Sequence, residues 1–104
     1  ALDYKFNFAV LNFYKDGSSQ MGWHADDRGS MVDRSIIASV SLGASRKFRL
    51  RRMHLTKGTG TEVLLGSGDL LTMEEDCQKH YKHCVPKQMA VKEGRINITF
   101  RVIA

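Results

Sequence analysis

The chain is short of several things, and each shortage excludes something. It has two cysteines, Cys77 and Cys84, seven residues apart in a basic, histidine-containing stretch. Two thiols do not make the framework of a disulfide-stapled secreted domain, so both are expected to be reduced. There is one proline, Pro86, and no repeat, low-complexity tract or linker divides the sequence. No apolar run approaches the roughly 20 residues of a membrane span. No charged-then-apolar leader pattern opens the chain. The expectation is an intracellular protein, cytoplasmic or associated with the nucleoid or nucleus, without membrane contact. Acidic residues are also in deficit, 11 against 16 lysines and arginines, and the formal charge of +5 favours polyanionic partners.

What is present is a set of short apolar segments. At 104 residues the chain makes one domain with a modest core, and 42% hydrophobic with 26% charged residues suits a folded protein. Eight segments are rich in Val, Ile, Phe, Leu and Tyr: 5–14, 19–25, 35–43, 45–53, 61–66, 68–74, 81–86 and 95–103. Turn strings such as "KDGSS", "LGAS" and "GSGD" separate them. No window holds a 3.6-residue period. Many short strands with glycine-rich turns predict an all-β fold, or a β-rich α+β one, built on a jelly roll (double-stranded β-helix) or a barrel.

Two stretches stand out chemically. "WHADD" places His24 and Asp26 two residues apart on an extended segment, hence on one face. A histidine and a carboxylate so placed supply two ligands of a 2-His-1-carboxylate triad, which leaves positions open on Fe(II). The third ligand must be a distant histidine: His54, His80 or His83. His54 follows a basic strand and leads into a glycine-rich turn, which predicts exposure. His83 lies among apolar neighbours just before Val85 and Pro86, and is preferred over His80. The second stretch is "GRINITFRVI". Alternation sets Ile96, Ile98, Phe100 and Val102 on one face, expected to pack on a core, and Arg95, Asn97, Thr99 and Arg101 on the other. On a half-buried strand such a polar face ordinarily meets water.

The joint pattern resembles the AlkB family of Fe(II)- and 2-oxoglutarate-dependent dioxygenases. The matching stretches are "FNFAVLNFYKDG", "WHADD", "IASVSLGASRKFRLR", "GSGDLLTMEE", "HCVPK" and "RINITFR", spread from Phe6 to Arg101 in the family's order. By that resemblance His24, Asp26 and His83 bind iron. Arg101 pairs with the C1 carboxylate of 2-oxoglutarate. Arg95 pairs with the C5 carboxylate, helped by Asn12 and Tyr14, with Asn97 and Thr99 completing the polar lining. Physical reasoning agrees: two arginines inside a barrel are costly without anions, and guanidinium–carboxylate pairing is the strong remedy. Positions 95 and 101 are roughly 20 Å apart along a strand, so two inward side chains leave a gap suited to a short dicarboxylate.

The implied activity is oxidative dealkylation of N-alkylated bases in DNA or RNA, releasing formaldehyde and succinate and consuming O₂. The alternative on the same fold is a hydroxylase of a protein or small molecule. On the substrate side, relatives follow H-x-D with an acidic pair; here Asp27 is kept but Arg28 stands where Glu is common. Trp23 is a candidate for stacking on a base, or for packing. The basic set Arg46, Lys47, Arg49, Arg51 and Arg52 resembles the family's strand near nucleic acid and is expected to contact phosphates. Residues 1–104 are expected to form a monomeric catalytic core without the family's N-terminal nucleotide-recognition segment.

Overall fold

A computed structural model describes residues 5–25, 36–58, 60–74 and 80–103. Eight strands run through them: β1 (Phe8–Tyr14), β2 (Met21–His24), β3 (Ile37–Gly43), β4 (Arg46–Arg52), β5 (Thr61–Leu65), β6 (Leu70–Met73), β7 (Tyr81–Val85) and β8 (Arg95–Arg101). Each lies inside one of the eight apolar segments, trimmed by a residue or more at most of the ends. Among the described residues no helix is long and apolar enough to cross a membrane.

The strands form two four-stranded antiparallel sheets, ordered β1-β8-β3-β6 and β2-β7-β4-β5. Successive strands change sheet at every connection except the β4–β5 hairpin. This is the jelly-roll arrangement that the segment pattern predicts. The core between the sheets is small: Tyr14, Ile37, Phe48, Leu65, Met73 and Val85, with Met21, Leu50, Leu71 and Ile103 packed at its margin. Beside it the interior is polar, with Ser39, Ser41, Arg46, His83, Arg95, Asn97 and Thr99 all buried.

One expectation is overturned at β8. Its apolar face does not pack on the core: Ile96 is 39% exposed, whereas Arg95 and Thr99 on the other face are 2% and 4% exposed. β8 lies in the middle of its sheet, and its polar face is the one turned into the sandwich. Outside, its apolar residues extend rows across the sheet. Phe13, Ile96 and Leu42 are in register, as are Leu11, Ile98, Val40 and Leu70. Leu11 and Phe13 stand largely in the open. Alternation fixes which residues share a face, but not which face meets the second sheet.

The turn after β3 needs glycine. Gly43 has φ of +96°, and a Cβ there would sit 2.5 Å from the Gly94 carbonyl oxygen. Gly68, in the β5–β6 turn, also has a left-handed φ, of +86°, but a Cβ there meets nothing within 4 Å. Either alanine substitution carries the left-handed penalty of about 1–2 kcal/mol, and Gly43→Ala adds a backbone overlap. Urea denaturation is expected to show a clearly larger loss of stability for Gly43→Ala than for Gly68→Ala. Equal losses would mean that the Gly43 turn relaxes freely.

Candidate active site

The inward face of β8 is held by β1 on one side and β3 on the other. Across the sheet, Tyr14, Arg95 and Gly43 are in register, as are Asn12, Asn97 and Ser41, and Val10, Thr99 and Ser39. The polar side chains satisfy one another diagonally. Arg95 Nη2 donates to Ser41 Oγ at 2.8 Å, and Asn97 Nδ2 donates to Ser39 Oγ at 2.5 Å. Thr99 Oγ1 donates to Asn97 Oδ1 at 3.0 Å. Ser39 and Ser41 belong to this polar face, and sequence reasoning misses them. A signal for them is present, however, since "SVS" puts two small hydroxyls on one face of a strand otherwise rich in apolar residues.

Arg95 is the least satisfied member of this face. Its guanidinium carbon lies 5.0 Å from the centroid of the Tyr14 ring. Its Nε and Nη1 are buried and have no hydrogen-bond partner. Burial pushes the guanidinium below the ordinary arginine range; Tyr14 opposes this, and the neighbouring charge of Arg46 adds to the depression. A buried cation with orphan donors is a costly arrangement that an anion relieves. Arg101 lies six residues along the same strand, opposite Phe8 and only half-buried.

The histidines are brought together by the second sheet. His24 and His83 are Cα partners across β2 and β7. Their rings meet edge-on with centroids 4.3 Å apart, and Phe48 stacks on His83 at 5.2 Å. His24 Nδ1 lies 2.7 Å from the Gly22 carbonyl oxygen. A carbonyl only accepts, so Nδ1 carries the proton and Nε2 keeps a lone pair for a metal. His54 and His80 are exposed and do not line the cavity that holds this pair. Asp26 lies outside the described residues, and among those that are described no group of three or more His, Cys, Asp and Glu gathers.

One cavity joins the two halves, with about 430 Å³ of empty space that includes its open mouth. Asn12, Tyr14, Arg95, Asn97, Thr99 and Arg101 line it from the first sheet, and His24, Phe48 and His83 from the second. Every residue that the resemblance assigns to 2-oxoglutarate is therefore on its wall. Guanidinium donors without partners and a facing histidine pair suit a dicarboxylate and a divalent metal in the same cavity.

The basic set divides. Arg46 is 1% exposed, and its guanidinium donates to the carbonyls of Asp16, Ser19 and Pro86 and to Gln88 Oε1. That corrects the expectation of a phosphate contact, because its donors are turned inward and already engaged. Arg49 bonds Glu62 at 2.7 Å, with Lys47 at 4.0 Å from the same carboxylate. The hydrogen bond from Arg49 holds the Glu62 carboxyl below its usual range, partial desolvation opposing and the Lys47 and Arg49 charges assisting. Arg51 lies 4.0 Å over the Trp23 ring and donates to the Gly58 carbonyl, so one face of that indole is already covered. Arg52 is exposed beside Tyr81. Asp27 and Arg28 lie outside the described residues.

The chain is similar to known proteins along nearly its whole length. The model of the 2OG-Fe(II) oxygenase superfamily matches residues 1–101. The alpha-ketoglutarate-dependent dioxygenase alkB homolog 3 of Rattus norvegicus is 36% identical over 105 residues, covering 94% of this chain and 36% of that protein. The DNA oxidative demethylase ALKBH2 of Homo sapiens is 37% identical, covering 94% of this chain and 40% of that protein. The chain thus spans about two fifths or less of the length of these relatives. A solved structure, OsALKBH1, superposes with a TM-score of 0.74 at 23% identity, covering 95% of this chain and 49% of its own, and bears on the fold alone. The chain belongs to the 2OG-Fe(II) oxygenase superfamily, and the relatives it resembles in sequence are AlkB homologues.

Proposed function

We propose that this chain is the core of an Fe(II)- and 2-oxoglutarate-dependent oxygenase that removes alkyl groups from base nitrogens of DNA or RNA. The observation that carries the proposal is Arg95: a buried guanidinium with two orphan donors, in the same cavity as a facing pair of histidines. In this proposal His24, Asp26 and His83 hold the iron. Arg95 takes the C5 carboxylate of 2-oxoglutarate with Tyr14 and Asn12 beside it, and Arg101 takes the C1 carboxylate. When bound, iron with 2-oxoglutarate and dioxygen supplies the oxidising power to hydroxylate an alkyl carbon, the cosubstrate leaving as succinate and CO₂.

The protein's own contribution is placement. Gly22 holds a proton of His24 on Nδ1, which in the neutral ring leaves the other nitrogen as the one available for a metal. Ser41 holds one donor of Arg95, leaving the guanidinium little freedom to turn. The Phe48 ring over His83 and the apolar core below it exclude water from that side. Nucleic acid as the substrate rests on the names of the relatives, one of them a DNA oxidative demethylase, and on the cationic outer face of the second sheet. There Arg51 and Lys82 are in register on β4 and β7, and phosphate contacts from such residues give salt-dependent affinity.

Formaldehyde release from methylated single- and double-stranded oligonucleotides tests the proposal directly. Release is expected to require Fe(II) and 2-oxoglutarate and to be abolished by a chelator. Turnover of 2-oxoglutarate with no formaldehyde from any lesion would instead favour a hydroxylase of a protein or small molecule. Arg95→Ala is expected to weaken 2-oxoglutarate binding at least about tenfold, the loss of a charge-assisted pair worth roughly 1.5–3 kcal/mol. Unchanged affinity in anaerobic titration would refute the role given to Arg95. Glu62→Gln removes the carboxylate that occupies Arg49 and Lys47. It is expected to tighten binding to an unmodified oligonucleotide and to steepen its salt dependence; no change in either would remove that sheet face from the nucleic-acid path.

A further inference from the structure

Arg46 is the largest fully buried side chain among the described residues, and no carboxylate pairs with it there. It starts β4, but its contacts lie elsewhere. Nη1 reaches the Asp16 carbonyl at 3.0 Å and Nη2 the Ser19 carbonyl at 2.7 Å, in the connection between β1 and β2. Nη2 also reaches the Pro86 carbonyl at 2.9 Å, and Nε reaches Gln88 Oε1 at 3.2 Å, just beyond β7. Gln88 is itself fixed, since its Oε1 accepts from Lys47 N at 2.7 Å and its backbone N–H donates to the Gly17 carbonyl. The Arg46 guanidinium carbon lies 5.5 Å from the centroid of the Tyr14 ring, against which Arg95 also rests.

Three strands that wall the cavity are thus tied at their ends by one planar group. β1 ends in Tyr14, the connection held by Asp16 and Ser19 leads into β2 with His24, and Pro86 follows β7 with His83. We infer that Arg46 is a positioning residue for the cosubstrate site: it sets the Tyr14 ring against Arg95 and locks β2 and β7 at the facing of His24 and His83. It touches neither metal nor cosubstrate. Its effect on binding is exerted through Tyr14 and through the two strand ends, and it depends on the fork geometry of a guanidinium, which an ammonium does not reproduce. This inference rests on the proposal that Arg95 and Tyr14 receive a carboxylate of 2-oxoglutarate.

The test compares the whole wild-type chain with Arg46→Lys and Gln88→Ala. Folding is followed by circular dichroism and thermal melting without metal, and binding by anaerobic titration of 2-oxoglutarate in the presence of Mn(II), well below each melting midpoint. Arg46→Lys is expected to melt cooperatively at a lower temperature and to bind 2-oxoglutarate about tenfold more weakly. Gln88→Ala, which removes one acceptor and leaves the arginine, is expected to lose a few-fold. A purely structural Arg46 would lower the melting temperature and leave the affinity of the folded protein untouched, and that result overturns the inference. Should Arg46→Lys fail to fold, Gln88→Ala decides alone: weakened binding supports the inference and wild-type binding overturns it. Failure of the wild-type chain to bind 2-oxoglutarate sinks the cosubstrate proposal itself, and with it this inference, a result distinguishable from wild-type binding with unaffected variants.

Discussion

The constraint on which the rest of this structure depends is the burial of two guanidinium groups in a very small sandwich. A cation taken out of water loses several kcal/mol even after relaxation, a large part of the 5–15 kcal/mol by which a domain is ordinarily stable. Arg46 and Arg95 meet that constraint in different ways. Arg46 is surrounded by neutral oxygens from two parts of the chain, and its desolvation is offset where it stands. Arg95 is offset only in part, by Ser41 and the Tyr14 ring. The first therefore reads as architecture and the second as a receptor for an anion, although both are arginines on short basic strands.

The same contrast explains how much of the site was legible in the sequence. Strand positions were, because runs such as "IASVSLG" and "RINITFR" alternate cleanly and glycine-rich turns bound them. So was the burial of His83: its apolar neighbours on β7 predicted it, and antiparallel pairing sets it opposite His24. The orientation of β8 reads two ways: its hydrophobic residues suggest the core, whereas the resemblance and the cost of unpaired buried arginines turn its polar face inward. The second holds, with Ser39 and Ser41 of a distant strand bonding that inner face. Likewise "SRKFRLRR" reads as a uniform basic strand. Period two divides it into Arg46, Phe48 and Leu50 facing in and Lys47, Arg49 and Arg51 facing out, but the inward place of an arginine depends on oxygens some 27 to 42 residues away in the chain.

The outward half of that strand is itself graded. Glu62, across the β4–β5 hairpin, engages Arg49 and lies near Lys47, so the positive charge there is locally compensated. Toward β7 and β2 no acid among the described residues is bonded to Arg51, which instead lies on Trp23, the residue next to His24. Among the described residues, positive charge without an acidic partner on the outer face thus leans toward the side of the sheet that carries the histidines. A polyanion drawn to this surface at a distance would be drawn preferentially toward that side.

The strand order has a consequence in time as well as in space. β8 is the last of the eight strands to be made, yet it sits second in its sheet, between β1 and β3, and is the backbone link that joins them. Until it arrives β1 has no partner in that sheet, and β3 has only β6. Pairings so distant in sequence are slow to form, and here they cannot begin until residues 95–101 have left the ribosome. The strand that closes the fold is also the one bearing Arg95, Asn97, Thr99 and Arg101, so a chain cut short before them would lack its central staple and its polar cavity wall together. The joining of β1 to β3 and the placing of the polar cavity wall are therefore one event.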